Sequence, residues 1–231
     1  MHRLLLLAFA LTLVLYTRAV GPAADPDTTG VIVDRAKRQI IIDAKIAPRK
    51  IDDPRFKEIY PIEVVACYPF PRGQKSHETV VTIEAKPSAV HQGLVALGLK
   101  PGAPVVGESK DPPQGPEVSI FLEFPGPDGQ PKKVPIERTM VDIQTNKPLK
   151  TLKWRFTGSA MIKPDPNKEQ TVYAADQSGT LIAIFPVTNQ TVFQTNLTMK
   201  EEKFVKLETD KKLLPKEGTP VKLILEVPEA K

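Results

Sequence analysis

The chain has 231 residues, a single cysteine, 24 prolines and a formal charge of +5. One cysteine excludes both an internal disulfide and an iron–sulfur cluster held by a set of thiolates. Interspersed acids and bases lack the clustered basic stripe of a nucleic-acid binder. The prolines end helices and stay out of central strands, so they exclude a helical bundle and predict short elements joined by stiff loops.

His2 and Arg3 precede an almost unbroken apolar run over residues 4–16, and small residues follow at Ala19, Gly21, Ala23 and Ala24. That order predicts a cleavable signal peptide over residues 1–21. The run is shorter than the ~20 residues that span a bilayer core, although an uncleaved anchor is the competing reading. Cleavage leaves no stable membrane span and places the mature protein outside the cytoplasm, periplasmic or secreted. Residues 22–29 then form a mobile linker.

Residues 30–228 read as one α+β domain. Val31-Ile32-Val33 and residues 39–46 are β-branched arms of a hairpin around the charged bend at 34–38. Residues 62–66 and 78–84 are further strands. A helix is expected over about 87–98, with Pro87 in its first turn, Ser88 as a cap, Val90, Leu94 and Leu97 on one stripe, and Gly98 as its stop. Val118, Ile120, Leu122 and Phe124 alternate as a strand, and Asp128-Gly129 predicts a turn into residues 133–136. Residues 139–143 read as a short helical turn. Leu152, Trp154 and Phe156 alternate in another strand, and residues 173–175 and 180–185 flank Asp176-Gln177-Ser178-Gly179 as a second tight hairpin. Residues 204–207 and 221–227 are the last strands, and residues 200–218 form a charged, solvated surface. The fold class is α+β: mostly antiparallel, short-stranded sheets with one clear helix packed on them and proline-rich loops.

Once the leader is removed, His77 and His91 are the remaining histidines. Cys67 ends one strand, His77 and Glu78 open the next, and His91 lies on the first turns of the helix, so these four can approach one another. Imidazole, thiolate and carboxylate are the ligand set of zinc and similar metals. Against this, neighbours on a regular strand face opposite ways, so His77 and Glu78 share a metal only across a bulge. H-E-x-x-H also fails, because Val81 stands where its second histidine belongs. The structural alternative gives His77 a hydrogen bond, leaves Glu78 solvated and sets His91 beside the helix stripe. Cys67 reads as a buried small hydrophobe, with intermolecular pairing as the alternative.

Weaker patterns exclude more than they include. Ser159 follows Gly158, but Met161 replaces the last glycine of a nucleophile elbow. There is no phosphate loop, and the loop acids lack EF-hand alternation. Asn189-Gln190-Thr191 and Asn196-Leu197-Thr198 are glycosylation sequons. Phe56, Tyr60, Tyr68 and Phe70 stand among Pro61, Pro69 and Pro71, as a surface that grips a peptide or glycan or as packing beneath a long loop.

Two stretches together resemble a known family. One joins Ile62-Glu63-Val64-Val65-Ala66-Cys67 to Lys75-Ser76-His77-Glu78-Thr79-Val80-Val81 and runs through His91 to Leu97-Gly98-Leu99-Lys100-Pro101-Gly102. The other is Trp154-Arg155-Phe156-Thr157-Gly158-Ser159, with Tyr173-Ala174-Ala175-Asp176 and Gly179-Thr180-Leu181-Ile182 after it. Over residues 31–185 the chain resembles the YdjY-domain family of signal-bearing bacterial envelope proteins, leaving residues 186–228 as a C-terminal strand extension. The resemblance implies no established activity. It maps a Lys-x-His-Glu and helix-histidine pattern onto Lys75, His77, Glu78 and His91.

The candidate site is therefore Cys67, Lys75, His77, Glu78 and His91. The leading expectation is a non-enzymatic binding or structural module that engages an envelope protein or polymer, without a cofactor and without nucleic acid. The alternative is a metal-dependent, hydrolytic site on His77, Glu78 and His91, with His77 and His91 as ligands of a divalent metal. Neither reading specifies an oligomeric state.

Overall fold

A computed structural model describes residues 29–229. The expected signal peptide, and the linker up to residue 28, lie outside the described residues.

The hairpin forms as expected from β1 (Val31–Asp34) and β2 (Gln39–Ile46). Its bend closes where Asp34 Oδ1 accepts the Lys37 N–H at 3.0 Å. β3 (Val64–Cys67) and β4 (Thr79–Ile83) run parallel, and a 3-10 turn over Ser76–Glu78 leads into β4. α1 (Pro87–Ala96) buries Val90 and Leu94 completely, and each buried side chain of that size stabilises by ~1.5–3 kcal/mol. The helix sits close to the hairpin at Gly93, where a Cβ would come within 2.8 Å of Ile40 Cδ1. Ser88 does not cap α1: Lys86 holds the cap position, and Asp176 accepts from the Ser88 N–H at 2.8 Å.

β5 (Glu117–Pro125) turns into β6 (Pro131–Pro135). A 3-10 turn over Ile136–Thr139 precedes β7 (Met140–Asp142), which pairs with β8 (Lys147–Pro148). The helical turn expected at 139–143 therefore falls a few residues earlier, and residues 140–142 are strand. β9 (Trp154–Phe156) follows, then the short ladder of β10 (Met161–Ile162) and β11 (Val172–Tyr173).

The hairpin expected at 176–179 is corrected. Ala174–Ser178 is a helical turn, α2, ended by Gly179 in the left-handed conformation at φ 73°, where glycine carries no Cβ penalty. β12 (Thr180–Ala183) leaves it to pair with β3 and with β13 (Phe193–Gln194). α3 (Met199–Phe204) occupies part of the segment expected as charged surface, and Thr198 and Glu201 form a capping box at its start. β14 (Leu207–Thr209) and β15 (Pro220–Glu226) complete the chain.

The mostly β, mostly antiparallel character is as expected, but the sheet is not open. The order β2-β15-β5-β9-β13-β12-β3-β4 returns from β4 to β2, so eight strands close into a barrel-like ring. β2 makes this closure by dividing one edge between two partners, β1 over residues 39–42 and β4 over residues 44–46. Alternation then fills the interior: Ile40, Ile42 and Ala44 of β2, Ile120, Leu122 and Phe124 of β5, and Val221, Leu223 and Leu225 of β15 are all buried. β15 lies between β2 and β5, so the C-terminal strand is part of the closed wall. β3 and β12 are buried on both faces, which explains their continuous apolar composition. Among the described residues, no helix is long and apolar enough to cross a membrane.

Candidate functional site

The parallel register Val64↔Thr79 sets Glu63 and Glu78, each one residue before its strand, side by side at the start of β3 and β4. Neighbouring strands are ~4.8 Å apart, so the two acids repel unless a cation lies between them. Lys75 supplies it: its Nζ is 2.6 Å from Glu63 Oε2 and 2.7 Å from Glu78 Oε2. His77 and Glu78 sit in the 3-10 turn and not on the strand, so their side chains share a side and His77 Nε2 lies 3.4 Å from Glu78 Oε1.

The environment separates the two carboxyls. Burial pushes Glu63 above the ordinary carboxylate range; Lys75 opposes this and the Glu78 charge adds to it. Burial acts in the same direction on Glu78, but hydrogen bonds from His77 and Lys75 outweigh it and hold Glu78 down at about 2. Burial alone would lower Lys75, and its two carboxylate partners raise it instead. Of the two, Glu63 is therefore the one whose surroundings favour the protonated form, and Glu78 the one held as a carboxylate.

Aromatic rings wall the cluster. The His77 ring lies 4.3 Å from Phe56 and 5.2 Å from Tyr60, and Phe56 meets Phe70 edge-on at 6.0 Å. The aromatic–proline stretch thus packs around His77. Beneath it, buried Arg49 donates to His77 O at 3.1 Å and pairs with Glu208 at 2.7 Å. Glu63, Arg49 and Glu208 were not in the sequence-derived set. Glu63 stood within an expected strand, and its pairing with Glu78 depends on the β3–β4 register.

Cys67 lies behind this cluster. It is fully buried, with Sγ 3.9 Å from Thr180 Oγ1, and burial pushes its thiol up. It is a small core residue with little thiolate character.

His91 belongs to a different network. Tyr173 Oη accepts the Ser159 N–H at 3.0 Å and lies 2.7 Å from His91 Nδ1. The Tyr173 hydroxyl thus bridges the Ser159 amide and the His91 ring. The ring packs on Phe156 at 5.1 Å. Burial lowers His91 and raises Tyr173, so both are neutral near pH 7. Lys75, His77 and Glu78 come together with Cys67 behind them, while His91 joins Tyr173, Phe156 and Ser159. Among the described residues no group of three His, Cys, Asp or Glu side chains is arranged to hold a metal ion.

A second feature arises from barrel closure. The pairings Ala44↔Ile83 and Val221↔Ala44 put three inward positions at one level of the wall, and Phe124 follows from the β15–β5 register. These residues line a cavity of about 680 Å³. Pro125, Pro131 and Pro220 line it too, with Lys45, Glu84 and Lys222 among its charged lining residues. Ligand pockets of about 300–1,000 Å³ with mostly apolar linings and a few polar groups are the usual form of a small-molecule site. The Glu63–Lys75–Glu78 cluster, by contrast, has its one ammonium already engaged by two carboxylates within the protein.

No curated protein and no solved structure matches the chain. The family model described as the YdjY domain matches residues 31–226, from β1 through the last residue of β15 and well past Phe185. A match over this much of the sequence assigns the family: the chain belongs to the YdjY domain family.

Proposed function

We propose that this protein is an exported, non-enzymatic binding module whose ligand is a small, largely apolar molecule taken up at the barrel cavity. The observation that carries this reading is the cavity of about 680 Å³ beside Ala44, Ile83, Phe124 and Val221. Three features add support. The signal-like leader favours work outside the cytoplasm. In the cluster, Lys75 is engaged by both Glu63 and Glu78, and His77 Nε2 faces Glu78. His91 and Tyr173 are engaged with each other and with the backbone of Ser159.

The test is a fluorescence titration of residues 29–231 with the neutral apolar dye N-phenyl-1-naphthylamine. The expected result is saturable one-to-one binding, weakened at least tenfold by Ala44→Phe, which fills the cavity from β2. Thr82→Trp, at a half-exposed lining position on β4, gives a second obstruction with less risk to the fold. Absence of saturable binding, or equal binding by both folded variants, contradicts the proposal.

A further inference from the structure

Two carboxylates contact one ammonium. Lys75 Nζ touches both Glu63 and Glu78, and the side chains of Glu63, Lys75 and Glu78 are 18%, 27% and 10% exposed. One positive charge cannot match two negative ones, and at this burial water screens the excess poorly. The favourable arrangement keeps one proton on the pair, as in other carboxylates that share a site. We propose that Glu63 and Glu78 share this proton and form a pH-sensitive clasp between the starts of β3 and β4, closed while Glu63 is protonated and loosened when it ionises.

The surrounding charges decide which acid keeps the proton. His77, from the 3-10 turn, sides with Glu78 at 3.4 Å. Arg49, from the connection after β2, is matched by Glu208 on β14 and by the carbonyls of His77 and Tyr60, so it gives nothing to Glu63. The Cys67 thiol lies behind Lys75 and is held neutral by burial. Glu63 is left with a half-share of Lys75, and its buried position favours the acid form. The clasp also holds more than two strands. Its turn carries His77, and Phe56 and Tyr60 pack on that ring, so loosening the turn frees the connection at residues 49–61.

The sign follows from linkage. An acid raised by folding binds its proton more tightly in the native state. Its contribution is complete below the ordinary glutamate value of ~4.3 and is lost as pH rises through the folded value. Glu63→Gln copies the protonated acid and removes the titration.

The experiment measures the melting temperature of wild type and Glu63→Gln in parallel from pH 4.5 to 9. Other titrating groups, His91 included, affect both proteins and cancel in the difference. The variant is expected to gain on wild type as pH rises, by at least ~2–4 °C for a protein of this size. Hydrogen exchange over residues 49–61, corrected for intrinsic rates, should lose protection with pH in wild type and not in the variant. A melting-temperature difference that stays constant over the range overturns the clasp. A carboxyl-carbon NMR titration of the wild-type protein tests it without any substitution: Glu63 should titrate above ~4.3 and Glu78 below it, and a Glu63 midpoint at or below that value also overturns the proposal.

Discussion

Tyr173 Oη stands 2.7 Å from His91 Nδ1 and ties α1 to the strand ending at Tyr173. The same oxygen accepts the Ser159 N–H, so one hydroxyl satisfies two half-buried groups. Tyr173→Phe removes the oxygen and leaves both without a partner. The expected cost is ~1–3 kcal/mol, the penalty for an unmade buried hydrogen bond, measured as a lower urea midpoint with an unchanged slope.

Gly158 is fixed by the same network. It has φ +65°, and a Cβ there would lie 2.7 Å from Pro101 Cβ and 3.3 Å from His91 Cε1. Gly158→Ala adds backbone strain to a steric clash with a rigid proline, so a loss of ~1–3 kcal/mol is expected. Gly98→Ala shares the positive φ but meets nothing within 4 Å. Its loss by thermal melting should be the smaller of the two.

Arg49 joins the connection after β2 to β14 through Glu208, and it is only 4% exposed. Arg49→Met strands that carboxylate, together with the carbonyls of Tyr60 and His77. The expected cost is about 3 kcal/mol, at the low end for a broken buried pair because Glu208 is partly exposed. Arg49→Lys should not restore stability, since an ammonium cannot reproduce the fork. Denaturant melts of both variants check this.

Acid should weaken the cluster as well, through Glu78 and not Glu63. Glu78 is held at about 2 in the folded protein, so its contribution is complete above the ordinary glutamate range and is lost as pH falls towards 2. Glu78→Gln should be less stable than wild type at pH 7, and the gap should close on acidification. Melting curves between pH 2.5 and 7 measure both.

Much of this architecture was legible because it is local. The β1–β2 arms, the β5 alternation and the Val90–Leu94 stripe are patterns within a few residues, and each gives the expected element. Closure of the barrel is not local. It depends on β2 giving residues 44–46 to β4, a partner some forty residues away, and no periodicity encodes that choice. Asp176-Gln177-Ser178-Gly179 misleads because a left-handed glycine serves a helix end as readily as a hairpin. The Thr198-x-x-Glu201 capping box, in contrast, was a readable start for α3. At the site, Lys75, His77 and Glu78 were legible as close neighbours along the chain. Glu63 enters only through the parallel register, and His91 departs because Tyr173 offers its Nδ1 a partner.

The central claim, uptake of a small apolar ligand at the barrel cavity, is tested most directly by mapping amide NMR shifts during titration with N-phenyl-1-naphthylamine. The account predicts saturable shifts concentrated at Ala44, Ile83, Phe124 and Val221, with Lys75, His77 and His91 unmoved. Shifts centred on Lys75, His77 or His91, or no saturable shifts at all, would contradict it.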